Sequence, residues 1–213
     1  MSTSPRTLYL WDLAGTLFQE RWDPVASGYP TLEDYVRSRG MDPGNPREFE
    51  VAQVACLEHG EMFGLRLSEG YRETLAWTER NETFSTGVPE QVAARARYLN
   101  PKVGFDILEH IVKVHSTFDY GETNVKTPEM LVDYLSKKVA EGYRTVVYAD
   151  DKLENCMAFA DAARTVGEVH ADFTHRLYHM RNDDGGLRTK ESYCEVGSLS
   201  DILVREKTVR EKA

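Results

Sequence analysis

Four short polar segments of the chain could do chemistry if the fold brought them together. They are Asp12–Thr16, Ser85–Gly87, Lys126 and Asp150–Asp151. Three carboxylates in one place repel one another unless a cation or a proton compensates. Oxygen-only ligands favour a hard divalent ion, and Mg²⁺ typically uses one or two carboxylates together with a substrate phosphate. The residue types therefore predict a magnesium site beside a phosphate site.

A second set of residues suits the phosphate itself. These candidate contacts are Gly15, Thr16, Ser85, Thr86 and Gly87. A hydroxyl at a turn, followed by the free N–H groups of a helix start, is a good partner for phosphate oxygens. Lys126 would offset charge on the nucleophile and on a transferring phosphoryl group. Because each segment alone has a common structural explanation, the hypothesis depends on their joint order along the chain.

The elements that must position these residues alternate between strand-like and helix-like patterns. Strands are predicted at 7–11, 82–86, 111–117, 143–149 and 175–180, and helices at 89–98, 128–140, 154–166 and 200–206. A turn is expected at 182–186, and the charged tail 207–213 is expected to fray. Such alternation predicts an α/β fold with a parallel sheet and helices on both faces. In sheets of this kind the ligand lies beyond the carboxyl ends of the strands, where all four polar segments are placed.

Residues 18–80 have a different pattern. Helices are predicted at 31–38, 47–59 and 68–78, with proline and glycine between them and no strand alternation. This block is expected to be an all-helical insertion that hangs over the strand ends and acts as a lid.

Composition excludes several classes of function. The formal net charge is −9, and phosphate backbones select basic faces, so a nucleic-acid partner is not expected. No apolar run approaches the ~20 residues of a membrane span. Cys56, Cys156 and Cys194 are widely spaced, which fits neither a disulfide scaffold nor a zinc ribbon. We expect a reduced, cytoplasmic protein that binds no membrane.

The four segments together resemble the motifs of the haloacid dehalogenase (HAD) superfamily. Asp12–Leu17 matches the first motif, Ser85-Thr86 the second, Lys126 the third and Asp150-Asp151 the acidic fourth. The resemblance implies a HAD-like, Rossmann-like core at residues 1–17 plus 81–213, with a type 1 helical cap at 18–80. It also implies that Asp12 is the nucleophile and that Lys126 is catalytic. Mg²⁺ would be held by Asp12, the backbone carbonyl of Ala14, Asp150 and Asp151.

One position departs from the family pattern. Family phosphatases carry an Asp two residues after the nucleophile as general acid and base, and here that residue is Ala14. The Asp-x-Ala-Gly-Thr motif resembles phosphonatase-like members, but those need a cap lysine and no lysine precedes Lys102. Dehalogenases also lack the second Asp, yet they use no metal and carry no acidic pair. Without this acid, the leaving group must be a good one or take its proton from another group, such as Glu20.

The leading hypothesis is therefore a Mg²⁺-dependent HAD-like hydrolase for a small phosphorylated or related substrate. The alternative is a catalytically reduced HAD-fold protein that binds phosphate or regulates a partner. The sequence leaves open the substrate, the oligomeric state and which of Ser85 and Thr86 contacts phosphate.

Overall fold

A mostly parallel sheet of seven strands forms the centre of the protein. The computed structural model describes residues 6–121, 123–181, 187–190 and 192–212. The strand order is β5-β4-β1-β6-β7-β9-β8, and only the edge pair β8–β9 is antiparallel. The strands are β1 (Arg6–Trp11), β2 (Phe18–Gln19), β3 (Arg66–Leu67), β4 (Asn81–Ser85), β5 (Ile111–Ser116), β6 (Tyr143–Asp150), β7 (Thr174–Met180), β8 (Arg188–Thr189) and β9 (Cys194–Val196). This arrangement confirms the predicted α/β fold of Rossmann-like type.

Helices cover both faces of the sheet. They are α1 (Pro24–Ser27), α2 (Leu32–Ser38), α3 (Pro46–Glu58), α4 (Tyr71–Trp77), α5 (Pro89–Val103), α6 (Pro128–Ala140), α7 (Leu153–Val169) and α8 (Leu199–Glu211). Side chains alternate across β1, so Tyr9 and Trp11 face one core, while Leu8 and Leu10 face the other. The first core includes residues of α4, α5 and α8, and the second includes residues of α6 and α7.

The insertion differs from the prediction in one respect, because it contains strand pairing. Phe18 and Gln19 pair antiparallel with Leu67 and Arg66. Strands of two residues are too short to produce an alternating pattern, so sequence periodicity does not reveal them. The pairing is continued by Ser68, whose N–H donates to the Leu17 carbonyl at 3.0 Å. The expectation that residues 18–80 are all-helical is therefore wrong at residues 18–19 and 66–67.

Helix α4 was expected to belong to the lid over the strand ends, but it lies against the C-terminal helix α8. It packs against α8, and the Thr74 hydroxyl donates to the Leu199 carbonyl at 3.1 Å. The division into a core at 1–17 plus 81–213 and a cap at 18–80 stays a prediction.

The C-terminal region contains two further differences. Helix α8 continues to Glu211, so residues 207–211 do not fray as expected. The short strands β8 and β9 extend the sheet beyond β7. The turn predicted at 182–186 lies outside the described residues. Among the described helices, none has the length and apolar character required to cross a membrane.

Candidate active site

Asp12 directly follows the central strand β1. Its backbone N–H donates to the Ala149 carbonyl of the neighbouring strand β6 at 2.9 Å. The chain then turns at Gly15, which has φ of 76° and donates its N–H to the Phe18 carbonyl at 2.7 Å. Glycine adopts this left-handed conformation without steric cost. The turn leaves the Asp12 carboxylate at the strand end with only 6% of the residue exposed.

Lys126 joins the ends of two adjacent strands through a buried ammonium group. Its Nζ lies 2.5 Å from Asp12 Oδ1 and 2.6 Å from Asp150 Oδ2. It also donates to the Tyr148 hydroxyl at 3.1 Å. Burial alone would lower the pKa of Lys126, but the two carboxylates raise it above its ordinary value, so the ammonium stays charged. The structure thus brings together three of the residues that the sequence singled out.

The two adjacent acids have different surroundings. The Asp150 carboxylate accepts hydrogen bonds from Lys126, the Tyr148 hydroxyl, the Asn155 side chain and the Lys152 N–H. Burial would raise the pKa of Asp150, yet Lys126 and the other donors hold it below its ordinary value. Asp151 instead lines a cavity beside Gly15, and burial together with the Asp150 charge raises the pKa of Asp151 to about 6.

These carboxylates fit a divalent cation. Asp12, Asp150 and Asp151 each offer a carboxylate oxygen, and these atoms lie within 4.8 Å of one another. Burial raises the pKa of Asp12, and the charges of Asp150 and Asp151 act in the same direction against Lys126. A hard cation would relieve this repulsion, and an all-oxygen donor set suits Mg²⁺. Asp12 and Asp151 line the cavity, whereas Asp150 is occupied by its donors, so the first two are the more accessible ligands.

The loop after β4 forms a second wall of the cavity. Ser85, Thr86 and Gly87 all line it, and the Gly87 N–H donates to Ser85 Oγ at 3.1 Å. The loop is fixed from β5, because the Ser116 hydroxyl donates to the Gly87 carbonyl at 2.7 Å. Helix α5 begins two residues after Gly87, which directs its N-terminus to the same edge of the sheet.

Thr16 does not match its predicted place. Its side chain is fully buried, and its hydroxyl has no hydrogen-bond partner. It does not line the cavity that Asp12, Ala14 and Gly15 share. The Thr16 hydroxyl therefore lies inside the fold and not in the cavity where a phosphate would bind.

The cavity has a volume of about 420 Å³ and lies between the strand ends and the insertion. From the insertion it is lined by Gln19, Glu20, Trp22, Phe49, Glu50, Gln53 and Phe63, and from α5 by Gln91 and Arg95. This volume is at the small end of the range for ligand sites and suits a small molecule.

Of these lining residues the sequence singled out only Glu20, and the charged ones it missed are Glu50 and Arg95. Arg95 is 1% exposed and holds both carboxylate oxygens of Glu20, at 2.9 Å and 3.0 Å from its Nη2. Burial raises the pKa of Glu50 to about 7, with Arg95 and the Val88 N–H opposing the shift. One available signal was that Glu50 lies three and seven residues before Gln53 and Leu57, on a partly apolar helical face.

Comparison with known proteins supports the fold alone. No protein-family model and no curated protein matches the chain. A solved structure that is similar is that of the yeast (Saccharomyces cerevisiae) protein UTR4, described as unknown transcript 4 protein. The match has 13% identity and a TM-score of 0.52, and it covers 90% of this chain and 97% of that one. At this identity the likeness shows a shared α/β fold and assigns neither a family nor an activity.

Proposed function

We propose that this protein is a Mg²⁺-dependent, HAD-like hydrolase that acts on a small phosphorylated or related substrate. The observation that carries the proposal is the convergence of Asp12, Asp150, Asp151 and Lys126 beside the cavity. Phosphoryl transfer needs mainly positioning and charge compensation, and this cluster offers both.

In the proposed reaction Asp12 is the nucleophile. One of its oxygens is paired with Lys126, which leaves the other free to attack phosphorus in line with the leaving group. The Ser85–Gly87 loop and Lys126 would hold the phosphoryl oxygens. Asp12, Asp151 and the Ala14 carbonyl would hold Mg²⁺, with Asp150 orienting the set; bound there, the ion would neutralise charge on the transferring group.

The test is turnover of acetyl phosphate and p-nitrophenyl phosphate with and without Mg²⁺. Asp12→Asn removes the nucleophile and should abolish Mg²⁺-dependent release of phosphate. Asp133→Asn is the matched control, since Asp133 pairs with Lys137 at the surface and does not line this cavity. The proposal is contradicted if Asp12→Asn keeps the same Mg²⁺-dependent turnover as Asp133→Asn and the parent.

The second candidate is a phosphate-binding or regulatory protein, and Ala14 is the observation that favours it. Ala14→Asp restores the side chain that family phosphatases use as acid and base. If this variant gains strong Mg²⁺-dependent activity on a broad substrate panel while the parent has none, the binding function is favoured. If the parent already turns over substrate, the hydrolase stands. The cytoplasmic location, the small-molecule substrate and the lack of a nucleic-acid or membrane partner stay predictions.

A further inference from the structure

A buried carboxyl group from the insertion reaches the same cavity as the nucleophile. Glu50 lies on α3, is 4% exposed and lines the cavity together with Asp12 and Ala14. Its carboxylate accepts a hydrogen bond from the side-chain amide of Gln91 and another from the Val88 N–H. Glu50 is therefore anchored at the beginning of α5.

This anchor places Glu50 next to the loop that would hold phosphate. Gly87 packs directly against Gln91, because a Cβ added at Gly87 would lie 2.1 Å from Gln91 Oε1. Glu50 is thus separated from the Ser85–Gly87 loop by one side chain. Ala14, which lines the same cavity, presents only a methyl group where an acid is needed.

The surroundings of Glu50 allow its carboxyl group to gain and lose a proton near neutral pH. The charged groups that face it are Arg95, Glu20 and Lys152. Arg95 binds both Glu20 oxygens, and its positive charge lowers the pKa of Glu50 while the negative charge of Glu20 partly opposes it. Burial then dominates and raises the pKa of Glu50 to about 7, which is near the value that suits general acid–base catalysis at neutral pH.

We propose that Glu50 is the general acid and base of this active site and replaces the acid missing at Ala14. This assignment rests on the proposed hydrolase function. It implies that the substrates include ordinary phosphomonoesters of alcohols, whose leaving groups need a proton, and not only acyl phosphates.

The proton and electron balance of the reaction is complete. In the first step Asp12 Oδ forms a bond to phosphorus while the bond from phosphorus to the ester oxygen breaks. That oxygen keeps the electron pair and takes the Glu50 proton, which releases the alcohol and leaves an aspartyl phosphate and a Glu50 carboxylate. In the second step water attacks phosphorus and gives a proton to Glu50. The Asp12 carboxylate and inorganic phosphate are formed, and Glu50 is protonated again.

The experiment compares two aryl phosphates of similar shape. p-Nitrophenol is a weak base that leaves without a proton, whereas phenol needs one. In rapid-mixing experiments with Mg²⁺, Glu50→Gln should slow the first turnover of phenyl phosphate by ~10²-fold or more. The first turnover of p-nitrophenyl phosphate should change little. Its later turnovers should be slow, with phosphorylated protein visible by intact mass, because the base for the second step is absent.

Glu58→Gln is the matched control, since Glu58 lies on the same helix and only forms an exposed pair with Arg97. It should leave both first turnovers unchanged. An equal slowing of both substrates in Glu50→Gln assigns Glu50 a positioning role and overturns the inference, and so does no slowing of either. In these cases activity still depends on Asp12, so the hydrolase function survives.

A measurement on the unmodified protein keeps the inference testable if Glu50→Gln fails to fold. The first turnover of phenyl phosphate should decline as the pH rises above about 7, while that of p-nitrophenyl phosphate should not. Parallel pH profiles overturn the assignment of Glu50. Absence of Mg²⁺- and Asp12-dependent turnover on both substrates overturns the hydrolase function and the Glu50 assignment together.

Discussion

Glu82 carries a buried charge in β4, the strand that leads to the Ser85–Gly87 loop. Its side chain is 0% exposed and accepts hydrogen bonds from His115, Tyr134 and Lys138, at 2.9 Å, 2.9 Å and 3.0 Å. Burial would raise the pKa of Glu82, but these donors and the Lys138 charge lower it from 4.5 to about 2. The carboxylate is therefore more stable in the folded chain than in the unfolded one.

The magnitude follows from linkage between ionisation and folding. One pKa unit corresponds to ~1.36 kcal/mol, so a shift from 4.5 to about 2 is worth roughly 3 kcal/mol at neutral pH. Removing one partner of a buried ion pair typically costs ~3–5 kcal/mol. Lys138 keeps a second partner in the half-exposed Glu141, 3.0 Å away, which limits the loss. We expect Glu82→Gln to lower the free energy of unfolding by about 3 kcal/mol, a large part of the ~5–15 kcal/mol typical of a domain.

The sign of the pH dependence is also fixed. Because the folded pKa is lowered, the contribution of Glu82 is fully present above pH 4.5 and is lost as the pH falls towards about 2. Urea unfolding followed by circular dichroism at pH 7 and pH 3.5 measures both effects. At pH 7 the free energy of unfolding of Glu82→Gln should be lower than that of the parent. From pH 7 to pH 3.5 this free energy should fall less in Glu82→Gln than in the parent.

The control is Glu141→Gln, which removes the half-exposed partner of Lys138 and should cost less than ~1 kcal/mol. A loss below ~1 kcal/mol in Glu82→Gln, or a pH dependence equal to that of the parent, would refute the reasoning.

Two further predictions concern the metal-binding edge of the cavity. Burial and Asp150 raise the pKa of Asp151 to about 6, so Mg²⁺ must displace a proton at low pH, and its affinity by calorimetry should fall ~10-fold or more from pH 8 to pH 5. Equal affinities at both pH values would contradict this. Gly15→Ala places a Cβ 2.2 Å from Asp151 Oδ2, so it should weaken Mg²⁺ binding and lower stability by ~1–3 kcal/mol. Gly40→Ala has the same backbone strain without a neighbour within 4 Å and should leave Mg²⁺ affinity unchanged; similar losses in both variants would contradict the role of the close approach.

Much of the candidate site could be predicted because parallel strands end at one edge of a sheet. Asp12 follows β1, which lies between β4 and β6, so Ser85 and Asp150 at the ends of those neighbours are adjacent to it in space. The alternation of strands and helices along the chain predicts that these strand ends share one edge, whereas the position of β1 between β4 and β6 is seen only in the structure. Lys126 also fits, since it precedes α6 and reaches over the end of the central strands.

The direction of individual side chains could not be predicted. Thr16 is one residue beyond a left-handed glycine, and that single turn decides that its hydroxyl lies in the interior. Asp150 and Asp151 are identical in type, but only the hydrogen bonds from Tyr148 and Asn155 show which of them is already occupied. Such assignments depend on the exact conformation of the chain at the strand ends, which periodicity does not contain.

The partners of the insertion were hidden for the same reason. Glu20 and Glu50 meet Arg95 and Gln91 across a sequence distance of 75 and 41 residues. Nothing local distinguishes these two acids, and the sequence favoured Glu20 as the substitute acid. In the structure Arg95 binds both oxygens of Glu20, whereas the carboxylate of Glu50, the other acid that α3 and the preceding segment bring to the cavity, accepts from the Gln91 amide.

The charge balance of the cluster links metal binding to phosphate binding. Three carboxylates and one ammonium leave two excess negative charges at the strand ends. A phosphate dianion would meet strong repulsion there, since little water screens charges at a buried site. A divalent cation cancels the excess without consuming the nucleophile, whereas protonation of Asp12 and Asp151 cancels it but removes the group that must attack. In the proposed hydrolase, the same arrangement that makes the metal-free site costly at neutral pH would make Mg²⁺ the compensation that keeps Asp12 reactive.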